Sequence, residues 1–310
     1  MLNKITIGVT TIAFSKNNQL MNELNSLGFK KVKKNEAGKR FTKPELIAFL
    51  EECDAAIIGL DLITTDVLDK LPKLKLISKY GVGLDNIDFV ACEKNSVKVL
   101  YPIGVNKRSV SELTLGCMLS LCRNIYVTSN LLKNSVWQKV GGFELSGKTV
   151  GIIGVGNIGK DVIKLLMPFG CKIMVNDIID QEEYYQKNGL KSSTKEAIFK
   201  NADIITLHVP LTEQTKNLIN KKTLSLMKET TIVINTARGG LFEQDDLKEA
   251  LITKRIGGAA MDVYDQEPPK DIQLLKIPNL INTPHIGGNS NEAVKAMGYA
   301  AISNVVDFFN

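Results

Sequence analysis

Only two histidines, His208 and His285, and a single tryptophan occur in the 310 residues. The five cysteines, Cys53, Cys92, Cys117, Cys122 and Cys171, form no C-x-x-C pair. So little histidine and such scattered cysteine supply no zinc ligand set, and no metal is expected. The thiols read as small apolar core groups in a reducing compartment rather than a disulfide framework. No apolar run approaches the roughly 20 residues of a membrane span. The opening MLNKITIGVTTIAF reads as a first strand with no signal-peptide cleavage site after it. No membrane partner and a cytoplasmic location are the expectations. The net charge is only +6, from 39 basic and 33 acidic residues. The densest basic run, KKVKKNEAGKR at 30–40, holds no stacking aromatic, so nucleic acid is not expected and the run reads as a solvated face or loop.

What is present is ordinary for a globular protein, 44% hydrophobic and 23% charged, at a length that suggests two domains. Short β-branched runs alternate with helical patterns. Residues 4–10, 54–60, 74–80 and 97–101 read as strands, with helices over 44–52 and 85–95. Continuous apolar strands between helices imply a parallel sheet covered on both faces. A long apolar helix over 106–125 follows, with RSVSE as a serine-led start signal, and suggests a domain junction or subunit contact. The alternation then restarts, with strands at 148–153, 171–176, 203–209, 231–236, 257–263 and 279–283, a helix over 245–255 and a terminal amphipathic helix over 291–310. The fold class is α/β, with two doubly wound parallel-sheet lobes and a cleft between them.

KTVGIIGVGNIGKDVIKLLMPFG at 148–170 is the strongest local signal. A strand runs into Gly154-x-Gly156-x-x-Gly159, which opens a helix. The first glycine permits a tight turn, the second lets backbone approach a pyrophosphate, and the third allows close helix–strand packing. The helix N-terminus presents amides to phosphate. A second strand ends in Asp177, 18 residues beyond Gly159 and placed to accept ribose hydroxyls. Asp177 would repel a 2′-phosphate and no arginine follows it, so NAD is favoured over NADP.

Three later strand ends each carry one conspicuous polar residue: Arg238 in VINTARGG, Glu267 in MDVYDQEPP and His285 in NTPHIGG. Carboxyl ends of parallel strands line the crevice where ligands bind. Hydride transfer at an alcohol carbon needs a proton donor and acceptor, and imidazole suits that role. A carboxylate on the far ring nitrogen fixes the tautomer. A guanidinium grips a carboxylate and the adjacent carbonyl. His208, in ITLHVPLT, comes earlier in the sheet and reads as a cofactor-side or packing residue.

With these residues in place, the chain resembles the D-isomer-specific 2-hydroxyacid dehydrogenases, particularly the D-3-phosphoglycerate dehydrogenase branch. KYGVGLDNID (79–88), GIIGVGNIGK, LHVPLT, INTARGG, DVYDQEPP and TPHIGG carry the resemblance along nearly the whole chain. It implies a Rossmann NAD-binding domain over 103–282, inserted in a flavodoxin-like substrate domain made of 1–102 and 283–310. It also implies catalytic positions at Arg238, Glu267 and His285. Cofactor contacts are implied at Gly154, Gly156, Asn157, Ile158, Gly159, Asp177, His208, Val209, Pro210, Thr215, Thr236, Ala237, Asp262 and Gly287. Substrate contacts are implied at Lys79, Tyr80, Val82, Gly83 and Asn106. Members usually form homodimers. The expected activity is hydride exchange between NAD and C2 of a D-2-hydroxy acid or 2-keto acid.

Departures from the family pattern bear on the substrate. Lys79 and Tyr80 stand where phosphoglycerate enzymes carry an arginine and a small residue, and the loop at 59–66 has no arginine for a phosphate. Lys79, Lys107 or Arg108 are candidate substitutes. No C-terminal regulatory domain follows the terminal helix, so feedback through one is not expected. Two other readings are an NAD-sensing corepressor-like binding protein, disfavoured by the lack of long tails, and an NAD enzyme acting on another small oxyanion such as phosphite. Glu267 disfavours a formate dehydrogenase-like site, which carries glutamine there.

Overall fold

The computed structural model describes residues 2–310, and the apolar runs form twelve strands. In chain order these are β1 (Thr6–Val9), β2 (Lys31–Lys34), β3 (Ala55–Ile58), β4 (Leu76–Lys79), β5 (Lys98–Leu100), β6 (Thr149–Ile153), β7 (Lys172–Asn176), β8 (Lys191–Ser192), β9 (Ile204–Leu207), β10 (Ile232–Asn235), β11 (Gly258–Met261) and β12 (Leu280–Asn282). They build two parallel sheets, ordered β2-β1-β3-β4-β5 and β12-β11-β10-β9-β6-β7-β8. The chain divides into two compact units: one runs to Asn106 and resumes at Ser290–Asn310, the other is Lys107–Asn289. The expected divisions were 102/103 and 282/283. Both lie earlier than observed, the second because Asp262 on the β11 end binds the amides of Ile286 and Gly287 and so keeps that segment with the larger sheet.

In the first unit, Ala56, Ile58 and Ile77 pack on Leu46, Leu50 and Val67 on one face of the sheet. Ile7, Val9, Ile57 and Leu76 pack on Leu20, Leu24, Ala301 and Val305 on the other. The alternation along each strand is what the pleat dictates when helices cover both faces. The terminal helix Asn291–Phe309 is capped by Ser290 and lies along β4, where Ser78 Oγ donates to the Ala301 carbonyl at 2.9 Å.

β2 falls inside the basic run that reads as a solvated face or loop. Lys31 and Lys34 are exposed on this edge strand, while Val32 packs on the core. Lysines on an edge strand discourage pairing with another chain.

In the second unit, Ile153, Ile205, Leu207, Val233 and Met261 share one face of the sheet with Phe242 and Leu247. Val150, Ile152, Val175, Ile204 and Ile234 share the other with Val162, Leu166 and Met118. The long helix begins at Lys107, two residues before the first serine of RSVSE. Ser111 is therefore inside the helix and its hydroxyl donates back to the Lys107 carbonyl at 2.8 Å, a mid-helix bond rather than the cap that RSVSE suggests. A second helix follows at Ile125–Lys133. No helix among the described residues is long and apolar enough to cross a membrane. Four of the cysteines are buried and Cys171 is half-buried. Burial pushes the Cys117 thiol up to about 12 and the Cys53, Cys92 and Cys122 thiols up to about 11.

Candidate active site

The larger sheet reverses its winding between β6 and β9, and the glycine turn lies at the end of β6. Gly154 adopts φ +97°, and a Cβ there would fall 2.4 Å from the His208 carbonyl oxygen at the end of β9. At Gly159 a Cβ would fall 2.1 Å from the Gly154 oxygen. These two glycines are needed for the protein's own packing. Gly156 differs, since a Cβ there would meet nothing within 4 Å. Its helix, Asn157–Leu166, has no side-chain cap, which leaves the amides of Gly156, Asn157 and Ile158 at the helix start for an anion, and these residues are exposed or half-buried.

Asp177 follows β7, half-buried, and its carboxylate accepts from the Val155 amide at 2.6 Å and the Ile179 amide at 2.9 Å. Those bonds fix its aim while leaving lone pairs for ribose hydroxyls. The open cradle, the uncapped helix and the oriented carboxylate fit a dinucleotide with an unphosphorylated ribose.

The remaining implied cofactor positions line the same strand ends. Thr215 closes the turn after Val209 and Pro210, donating from Oγ1 to the Pro210 carbonyl at 2.7 Å. Thr236 is buried with its hydroxyl 3.0 Å from that of Thr114 on the long helix. His208 packs with its Nε2 3.0 Å from the Thr206 hydroxyl and its Nδ1 out of solvent without a partner. Burial lowers this imidazole to about 3, so it is neutral at physiological pH and is not the proton donor.

Arg238, Glu267 and His285 all belong to this unit. Arg238 follows β10, half-buried, with Nη1 donating to the Ala237 carbonyl at 2.6 Å. Its loop is held by Asn235, a fully buried residue that sequence reasoning did not single out. Asn235 accepts from the Ala237 amide at 3.0 Å and donates to the Arg238 carbonyl at 2.7 Å. A buried asparagine at a strand end, just ahead of the arginine, was the available signal.

Next to Arg238, a Cβ on Gly239 would lie 2.1 Å from the Tyr264 carbonyl carbon. This glycine lets the arginine loop close on the loop that carries Glu267.

His285 Nδ1 lies 2.8 Å from Glu267 Oε2. The two side chains are 44% and 37% exposed, so the pair is open to a substrate. His285 has φ +55°, a left-handed backbone uncommon outside glycine and typical of constrained functional sites. Asp262, only 2% exposed, holds this conformation. Its carboxylate accepts from the Thr283 hydroxyl at 2.6 Å, the Ile286 amide at 2.8 Å and the Gly287 amide at 2.7 Å. Asp262 and Gly287 thus bind each other and shape the histidine loop.

The implied substrate positions lie in the first unit and are described within it. Val82 and Gly83 are half-buried in the bend after β4. Tyr80 packs edge-on against Phe14, its hydroxyl out of solvent and pushed up to about 12 by burial. Lys79 is 2% exposed, and its ammonium donates to the Gly59 carbonyl and, at 2.7 Å, to Asn86 Oδ1. Asn106 is buried at the unit's edge.

A seven-stranded parallel sheet with a ligand-ready glycine turn at its switch point defines the dinucleotide-binding class of α/β proteins. Within that class, residues 115–287 match the family model described as D-isomer specific 2-hydroxyacid dehydrogenase, NAD binding domain, and the chain belongs to this family. It is 35% identical over 295 residues to a hydroxypyruvate reductase of Thermotoga maritima, a match covering 93% of this chain and 95% of that protein. It is 40% identical over 267 residues to a D-3-phosphoglycerate dehydrogenase of Methanocaldococcus jannaschii, over 85% of this chain. There the chain spans about half the relative's length, 51%. A crystal structure of a D-lactate dehydrogenase from Aquifex aeolicus, complexed with NAD and lactic acid, superposes with a TM-score of 0.84 at 26% identity, covering 98% of this chain and 95% of that one.

Proposed function

We propose that the protein is an NAD-dependent D-2-hydroxyacid dehydrogenase. The observation that carries this reading is the 2.8 Å His285–Glu267 contact, in the same unit as the Gly154–Gly159 turn and the Arg238 loop. The amides of Gly156, Asn157 and Ile158 are assigned to the pyrophosphate, and Asp177 to the adenosine ribose. When bound, NADH would supply a hydride to C2 of a keto acid, and NAD would take one from a hydroxy acid.

The chain's own residues handle the proton and the carboxylate. Glu267 accepts from Nδ1–H, which leaves Nε2 as the working nitrogen. In reduction, imidazolium His285 gives its Nε2 proton to the carbonyl oxygen and becomes neutral imidazole, still held by Glu267. In oxidation, Nε2 takes the hydroxyl proton. Arg238 binds the substrate carboxylate through its planar donors and polarises the adjacent carbonyl.

The substrate side chain is proposed to be without phosphate. The ammonium of Lys79, at the position where phosphoglycerate enzymes carry an arginine, is spent on Gly59 and Asn86 inside its own unit. Arg108, a second candidate for a phosphate, pairs with Asp161 at 2.9 Å. The relative matched over 95% of its length is named a hydroxypyruvate reductase.

NADH oxidation should be measured with pyruvate, glyoxylate, hydroxypyruvate, 3-phosphohydroxypyruvate, oxaloacetate and branched 2-keto acids. Turnover is expected, fastest on an unphosphorylated acid; no turnover on any member of the panel would refute the activity. Glu267→Gln should lower kcat by about 100-fold and change the shape of the pH–rate profile. A superimposable profile would contradict the proposed pairing.

We also propose that the protein pairs with a second copy of itself. The helix Ile125–Lys133 has no buried residue, and Ile125, Leu132 and Trp137 are 53%, 55% and 77% exposed. A cavity of about 180 Å³, lined in part by Cys122, Tyr126 and Phe143, opens beside that helix. Large apolar side chains exposed together in one stretch of chain point to an association surface.

A further inference from the structure

Tyr264 sits where the Arg238, Glu267 and His285 loops meet, part of the larger unit's core, and the mechanism above gives its hydroxyl no task. It follows β11, is 6% exposed, and its backbone receives the Gly239 contact from the arginine loop. Its amide donates to Glu267 Oε1 at 3.2 Å. Its hydroxyl, on the far end of the side chain, lies 3.3 Å from the Thr283 carbonyl oxygen, 3.3 Å from Asn282 Oδ1 and 3.2 Å from the Met261 carbonyl oxygen. A phenol has one hydrogen to give, so these three acceptors share it.

The contacts close into a ring. The Tyr264 amide holds one oxygen of Glu267, and the other oxygen holds His285 Nδ1 at 2.8 Å. The His285 amide donates to the Thr283 carbonyl at 3.1 Å, and that carbonyl is one acceptor of the Tyr264 hydroxyl. One residue therefore touches both halves of the acid–base pair, the carboxylate through its backbone and the histidine turn through its side chain. Both halves need such support. Glu267 is on an exposed loop, and His285 occupies a left-handed backbone that must be held from outside. Asp262 restrains the turn from its other side, through the Thr283 hydroxyl and the Ile286 and Gly287 amides. Burial and the nearby Asp262 and Glu267 charges raise the Tyr264 phenol to about 12, so it remains a donor across the working range.

We propose that Tyr264 is a positioning residue whose hydroxyl closes this ring and fixes the aim of His285 Nε2. The proposal rests on the dehydrogenase reading, which makes His285 the proton carrier. Proton transfer is sensitive to small displacements of the donor, so loosening the ring acts on the chemical step rather than on cofactor binding.

The test is Tyr264→Phe, which deletes one oxygen and keeps the ring packing. Its kcat should fall about tenfold, with the KM for NADH unchanged within about twofold. The second readout needs no turnover. With only two histidines in the chain, ¹⁵N-histidine labelling yields two imidazoles, which a His208→Asn variant assigns. Wild type should show His285 in the neutral state as a single Nδ1–H tautomer, and Tyr264→Phe should show a mixture with Nε2–H.

A purely structural role would lower the melting temperature and leave that tautomer alone. In a wild type that turns over a 2-keto acid, the kinetic and spectroscopic changes must appear together; either one alone, or neither, then overturns the assignment to Tyr264. A wild type that turns over no 2-keto acid but shows the tautomer shift would sink the dehydrogenase reading and leave the ring intact.

Discussion

Two histidines at two strand ends show how environment divides roles. His285 is exposed, bound to a carboxylate and placed on a strained turn. His208 is packed against Thr206 with its Nδ1 unpartnered, and burial lowers it to about 3 from an ordinary 6.5. For a base depressed in the folded state, the unfolded chain takes up the proton first as pH falls. His208 therefore costs no stability above about pH 6.5, and the protein loses stability as pH drops from 6.5 toward 3. His208→Asn should flatten that part of the profile, with the difference from wild type growing steadily as pH falls from 6.5 to 4. Urea unfolding of both proteins between pH 7 and pH 4 checks this, and parallel slopes would refute it. The sequence placed both histidines after strands and separated them by local context. The neutrality of His208 was not legible, because it depends on desolvation by residues distant in the chain.

At the scale of elements, the glycine turn makes a separable prediction. Gly159→Ala forces a Cβ to 2.1 Å from the Gly154 oxygen, and should strongly destabilise the unit or leave no soluble protein. Gly156→Ala places its methyl in open space, so the melting temperature should stay within about 2 °C of wild type. The same methyl occupies the approach of a pyrophosphate, so NADH affinity, read by fluorescence titration, should fall at least about tenfold. Normal affinity in Gly156→Ala would remove the dinucleotide from that cradle.

Most elements were legible because a buried parallel strand is an apolar run and an amphipathic helix has its own period. β2 and β8 escaped, since KVKK and KS carry little apolar signal and owe their strand form to a neighbour in the sheet. The helix start at Lys107 rather than at a serine likewise follows from packing, which overrides a local capping preference.

For the molecule as a whole, the exposed apolar helix at Ile125–Lys133 predicts a dimer by light scattering after size-exclusion chromatography. Replacing Ile125 and Leu132 together by Glu should give a folded monomer; a wild-type monomer at micromolar concentration would refute the proposal. The sequence by itself determined the α/β class and the dinucleotide turn, and it singled out Arg238, Glu267 and His285 as the candidate site. Each of these is written in local period, in glycine spacing or in the chemistry of one side chain at a strand end. Only the tertiary structure decided that Lys79 turns inward, that Asp262 and Asn235 serve the loops beside them, and that Tyr264 bonds both the Glu267 carboxylate and the Thr283 carbonyl of the histidine turn. Those outcomes depend on which strand ends become neighbours, and the order of strands in a sheet is set by packing over the whole chain.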